Sequence, residues 1–158
     1  MTKKVFEPFS DEQQKEYERE VRLQYDASLV DESRKRWGSY SKAEREMVID
    51  EGNAIYADIA QAIEAEKSPD SADVQALMAR WHEHLRYFYE PTLDVLRGLG
   101  MMYTTHPDFI ANFTELHPAL PRYLEEAITV YVDTLETAEI ERLLAEDEDS
   151  ARASRLSG

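Results

Sequence analysis

The chain has 158 residues, 42% of them hydrophobic, and carries 18 basic against 33 acidic side chains for a formal charge of −15. That length and apolar content suit one domain with a single core and make two separate cores improbable. The acidic surface repels phosphate backbones and anionic membranes, which disfavours direct DNA or RNA contact and membrane-surface binding while leaving neutral or cationic ligands acceptable.

The first helical region is expected to open at Ser10, which stands at capping-box spacing from Gln13, with Asp11 and Glu12 placed to favour the helix dipole. It should run to about Arg36. Its apolar residues, Tyr17, Val21, Tyr25, Leu29 and Val30, are sparse among charges, so little area offsets the entropy of ordering and the segment should be marginal alone. Ser41 and Glu44 form a second capping-box spacing and announce a helix carrying Val48, Ile55, Ile59 and Ile63 along one face up to about Lys67. Ser68 and Pro69 end it. Asp70 or Ser71 can cap a third helix, whose stripe of Val74, Leu77, Met78, Trp81, Leu85 and Phe88 follows the helical period closely.

A shorter helix follows from about Thr92, with Val95, Leu96, Leu99, Met102 and Tyr103 as core candidates and with Gly98 and Gly100 implying close packing or an early end. Pro107 and Pro118, each preceded by histidine, mark two further helix starts. The first carries Phe109, Ile110 and Phe113. The second carries Leu120, Tyr123, Leu124, Ala127, Ile128, Tyr131 and Leu135. A last amphipathic piece extends to about Leu144, and the charged, small-residue stretch after it is expected to be a disordered tail. Glycine is scarce and runs of β-branched residues are few, so helix is expected throughout.

Cysteine is absent, which removes disulfides, thiolate catalysis and cysteine-type zinc sites and fits a reducing compartment. No segment approaches the roughly 20 apolar residues of a membrane span, and no apolar run follows the N-terminal lysines. A cytoplasmic location is expected. His82 and His84 stand two residues apart, about 200° around a helix, so they point to opposite sides and do not reproduce the four-residue spacing of a zinc pair. His84 is expected near the apolar face in a structural hydrogen bond, with His82 outside. No metal, cofactor or catalytic set is expected. Nucleophile-elbow, phosphate-loop and dinucleotide motifs are all missing, and adjacent carboxylates in so acidic a chain read as solvated faces.

The interval from Trp81 to Phe113 is richer. Aromatic rings give contact area at little entropic cost and methionine adapts to different shapes, so these residues suit an apolar pocket wall as well as a core.

The ordered segments DESRKRWGSYSK, WHEHLRYFY, RGLGMMY and HPDF resemble the TipAS-type antibiotic-recognition domain, over about Val21 to Tyr131. The strongest parts are Trp81, His84, Phe88 and Tyr89, then Gly98, Leu99, Gly100, Tyr103 and Phe109. The resemblance implies an all-helical, globin-like domain, commonly the effector-binding part of MerR-type transcription regulators and also found as a free-standing drug-sequestering protein. It implies large apolar ligands, thiopeptides or other multi-ring compounds, held between a preformed core and N-terminal helices that order around them. Two departures accompany it. Thiopeptide-capturing members carry a cysteine after the FY motif, where this chain has Pro91, so covalent capture is excluded. No DNA-binding domain or long dimerisation helix precedes Val5, so a stand-alone binder or a cut-down regulator is expected.

The expected architecture is therefore a compact, globin-like all-α domain of about six to eight helices. Residues 1–40 form a weakly ordered N-terminal helical arm, 41–145 the ligand-binding core, and 146–158 the disordered tail. The expected function is non-catalytic binding of an apolar multi-ring small molecule, by a monomer or weak dimer. The expected ligand wall comprises Trp81, His84, Leu85, Phe88, Tyr89, Met102, Tyr103, Phe109 and Phe113, with Trp37 and Tyr40 supplied by the arm. The alternative is a helical protein-interaction module that uses the arm as its docking helix.

Overall fold

A computed structural model describes residues 27–156. The expected cap at Ser10 and the stripe of Tyr17, Val21 and Tyr25 lie outside the described residues. Within them the chain forms six helices and no strand: α1 (Ala27–Ser39), α2 (Lys42–Glu64), α3 (Ala72–Leu85), α4 (Leu93–Thr105), α5 (Pro107–Leu116) and α6 (Leu120–Leu156). The all-α class is the one expected from the sequence.

Local chemistry sets most of the starts. Ser41 Oγ accepts from the Glu44 amide at 3.1 Å while the Glu44 carboxylate accepts from the Ser41 amide at 3.0 Å, a reciprocal capping box that opens α2. Ser71 caps α3 by accepting from the Val74 amide, and Thr92 caps α4 by accepting from the Val95 amide at 3.2 Å. Pro107 occupies the first turn of α5, and His106 Nδ1 caps that helix by accepting from the Asp108 amide. Pro118, in contrast, does not start a helix. Residues 118–119 form a turn, pinned by His117 Nδ1 accepting from the Ala119 amide, and α6 begins at Leu120 with Pro121 in its first turn.

α2 ends at Glu64, short of the expected Lys67, for a definable reason. Glu66 takes a left-handed conformation at φ 56°, its amide bonds the Ile63 carbonyl, and the Lys67 amide bonds the Ala62 carbonyl. This is the double closure that ordinarily uses glycine.

The core is built chiefly where α4 lies along α6, with α2 packed on α3 and both in contact with α6. Gly100 makes the α4–α6 approach possible, because a Cβ there would stand 3.3 Å from Ile128 Cγ2. Ile55, Ile59, Val74, Met78, Leu96, Leu120, Leu124, Ile128 and Val132 fill the centre. Arg97 of α4 braces the same pair of helices from outside by bridging to Asp133 and Glu136.

The last element departs from expectation. The amphipathic piece and the tail are one continuous helix with the segment before them, out to Leu156. Beyond Glu136 every described residue is exposed. Helix continues because strong helix formers fill this stretch and Arg142 bridges to Glu139 and Glu146 at 2.6 Å on the same face.

Candidate ligand-binding site

The structure sorts the aromatic residues into two groups. The first joins α1 to the turn after α3. Gly38 to Tyr40 end α1 and swing the chain into α2, and this places the Trp37 ring stacked on Phe88 at 5.7 Å and 25°. Tyr40 meets Tyr87 edge-on at 6.4 Å, and its hydroxyl donates to the Tyr87 carbonyl at 2.6 Å. Arg36 donates to the Arg86 carbonyl at 2.7 Å. From α2, Arg45 Nε donates to the Trp37 carbonyl at 3.0 Å, and its guanidinium lies 5.6 Å from the centre of the Trp37 ring. Turn carbonyls after α3, and a carbonyl free at the end of α1, thus find donors across the joint.

His84 lies beneath this group. It is buried, its Nε2 donates to the Val48 carbonyl at 2.7 Å, and its ring meets both Tyr87 and Phe88 edge-on. Burial holds its pKa below the ordinary 6.5, outweighing the Val48 hydrogen bond and the nearby Glu51 charge that pull the other way. Glu51 also accepts from the Tyr87 hydroxyl at 2.8 Å, which raises the tyrosine pKa above the usual phenol range. The expected structural hydrogen bond of His84 is therefore in place. His82 is not outside as expected: it is half-buried, shares a 2.8 Å hydrogen bond with the Tyr131 hydroxyl and packs edge-on against that ring.

The second group is deeper. Trp81 of α3 meets Tyr103 of α4 at 6.4 Å, and Tyr103 in turn meets Phe109 at 5.2 Å and Phe113 at 5.0 Å. Phe109 and Phe113 stack on one face of α5 at 16°, while Tyr56 of α2 tilts against Phe113 and His106 meets Phe109. Trp81, Tyr103 and Phe113 are buried, whereas Phe109 is only half-buried.

Of the expected ligand wall, then, Trp81, Tyr103, Phe109 and Phe113 come together. Trp37, Tyr40, Phe88 and His84 form the separate joint. Leu85 and Tyr89 are half-buried against the core, and Met102 is buried. Tyr87, which lies in the aromatic interval already noted, takes part as well, and so do Tyr56, Arg36 and Arg45, which were not singled out. Tyr56 had a signal, since it is one turn before Ile59 on the apolar face of α2. Arg36 and Arg45 had none, because their acceptors are backbone carbonyls brought near by tertiary packing. Among the described residues no cluster of three or more histidine or acidic side chains is arranged to hold a metal ion. No described helix is long and apolar enough to cross a membrane.

The family model of the TipAS antibiotic-recognition domain matches residues 17–131, which contain both aromatic groups. The chain belongs to the TipAS family. It is 34% identical over 124 residues to the HTH-type transcriptional activator mta of Bacillus subtilis, covering 78% of this chain and 48% of that one. It is 31% identical over 134 residues to the HTH-type transcriptional regulator SkgA of Caulobacter vibrioides, covering 82% and 52% respectively. The chain thus spans about half the length of these curated relatives. Its fold is that of TipAS from Streptomyces lividans, solved in complex with the thiopeptide nosiheptide, with a TM-score of 0.71, 23% identity, and coverage of 82% of this chain and 90% of that one.

Proposed function

We propose that the chain binds a bulky, apolar, multi-ring compound without transforming it, and that it serves as the effector-sensing part of a transcription regulator. The observation that carries the reading is the coincidence of the TipAS match with the aromatic assembly: the matched residues contain the whole set of rings from Trp37 to Phe113. The two HTH-type relatives support the regulatory part, and nosiheptide bound to TipAS supports the ligand class.

The ligand wall is assigned to the half-buried rings Tyr89 and Phe109, over the buried Trp81, Tyr103 and Phe113, with residues 1–40 closing over them. Ordering such an arm typically consumes about 2 to 5 kcal/mol of interaction energy, which favours breadth over tightness. This sequence contains no cysteine, so retention rests on contacts rather than on thiol addition.

A thermal-shift series with nosiheptide and other multi-ring natural products tests the reading. A ligand at a hundredfold excess over its Kd stabilises the folded state by about 2.7 kcal/mol, which for a domain of this size raises Tm by roughly 5 to 10 °C. A melting point that no compound in the series moves would remove the proposal. Conversion of a bound compound during long incubation would remove its non-catalytic part.

A further inference from the structure

Trp81 is 1% exposed, yet its indole Nε1 finds no hydrogen-bond partner among the described residues. A buried donor left without an acceptor is costly, and proteins rarely keep one without a reason. The Trp81 ring meets Tyr103, and Tyr103 meets the two rings that α5 lays over it, Phe109 and Phe113. The ring beside Trp81 is therefore the one that α5 covers.

That helix buries little of itself. It contributes one buried side chain, Phe113, where α4 contributes five. Each end is a His-Pro step, and the residue before a proline is driven out of the helical region. His106 (φ −83°, ψ 121°) and His117 (φ −158°, ψ 132°) are both extended accordingly. α5 is joined to α4 through His106 alone, and His117 forms a matching joint before α6. Rotation about these two residues moves α5 as a unit while α4 and α6 keep their own hydrogen bonds.

We propose that α5 is a lid over the Tyr103 ring, and that when it lifts, the Trp81 indole N–H donates to an aromatic guest bearing a neutral acceptor such as a carbonyl. The inference rests on the binding function proposed above and gives it a chemistry. A hydrocarbon guest leaves the N–H as unpaired as before, whereas a carbonyl pairs it, so the site discriminates on the acceptor. The formal charge of −15 disfavours an anionic acceptor in favour of a neutral one.

The chain has two tryptophans, so an isotope-labelled sample shows two indole N–H signals by NMR, which Trp81→Phe or, should that variant not fold, Trp37→Phe assigns. The full chain is titrated with acetophenone and, separately, with its hydrocarbon isostere α-methylstyrene. The Trp81 signal should move downfield, saturably, with acetophenone and clearly less with α-methylstyrene. Phe109→Ala, which lightens the lid, should speed solvent exchange of the Trp81 indole proton in the free chain, and Trp81→Phe should weaken acetophenone binding by about fivefold. A Trp81 signal that acetophenone leaves in place, or that both compounds move equally, overturns the proposal. Failure of the underlying function is read separately. A multi-ring compound that raises Tm while the Trp81 signal stays put removes the donor role alone, whereas a chain that no such compound stabilises removes the binding function and the donor role with it.

Discussion

Trp37 and Phe88 offer a direct measure of how α1 is held. Their rings stack at 5.7 Å and both are half-buried, and Trp37 also carries the Arg45 guanidinium. Half-burial of each ring is worth about 1 to 1.5 kcal/mol, and the stacked pair adds about 0.5 to 1.5 kcal/mol beyond area. Trp37→Ala and Phe88→Ala should therefore each lower the free energy of opening α1 by about 2 kcal/mol, and the double variant by about 3 kcal/mol, leaving a coupling near 1 kcal/mol. Amide hydrogen exchange resolved along the chain is the suitable assay, because α1 can open without the core unfolding. In the unaltered chain α1 should exchange faster than α3, and in the variants faster still, with α3 unchanged. Losses that add within about 0.3 kcal/mol would show that the stack is incidental. Protection of α1 equal to that of α3 in the absence of ligand would refute the idea that the arm closes on a guest.

Three further outcomes follow from the packing. Glu66 occupies a left-handed position that costs an L-residue about 1 to 2 kcal/mol, and glycine returns part of that gain as chain entropy, so Glu66→Gly should raise stability in urea by about 0.5 to 1 kcal/mol; a loss would mean the Glu66 side chain is itself needed. Gly38→Ala, with open space around it, should stabilise α1 by up to about 1 kcal/mol, whereas at Gly100 the same helical gain is overrun by crowding against Ile128, for a net loss of about 1 kcal/mol in thermal melts; the reverse ranking would contradict the close α4–α6 approach. His84 is buried with a lowered pKa, so its contribution is fully present above the unfolded value near 6.5 and is lost as pH falls from there towards the folded value. The slope approaches 1.4 kcal/mol per pH unit, His82 acts in the same direction, and a urea midpoint that stays flat from about pH 7.5 to 5.5 would show that neither histidine needs to remain neutral.

What the sequence disclosed and what it withheld divide along the range of the interactions concerned. Ser41 with Glu44, Ser71 with Val74 and Thr92 with Val95 are contacts between a residue and its third neighbour. Spacing alone reveals them. The buried stripe of α3 was legible for the same reason, through Val74, Met78 and Trp81. The end of α2 was not, because Glu66 has no special preference for the left-handed turn that it adopts. Nor was the continuity of α6, since past Glu136 helix is kept by helix propensity and pairs such as Arg142 with Glu146 rather than by an apolar stripe.

The aromatic wall shows the same division with a functional consequence. Extending the period of α3 to Phe88 places that ring on the Trp81 face, but α3 stops at Leu85 and the next three residues turn, with the Phe88 amide bonded to the Leu85 carbonyl at 2.9 Å. Phe88 is thereby delivered to Trp37 instead. One expected surface becomes two: a joint that holds α1, and a deeper cluster under α5. His84, one turn beyond Trp81 on α3, touches the joint through Tyr87 and Phe88. A guest that displaces α5 and pairs with Trp81 therefore acts on the helix whose end carries the arm's anchorage. Coupling between the two can be carried by a small shift of α3, without any ligand contact to Trp37 or Tyr40. On this geometry, replacing Trp37 or Phe88 should change how firmly the arm closes more than how the buried ring cluster recognises its guest.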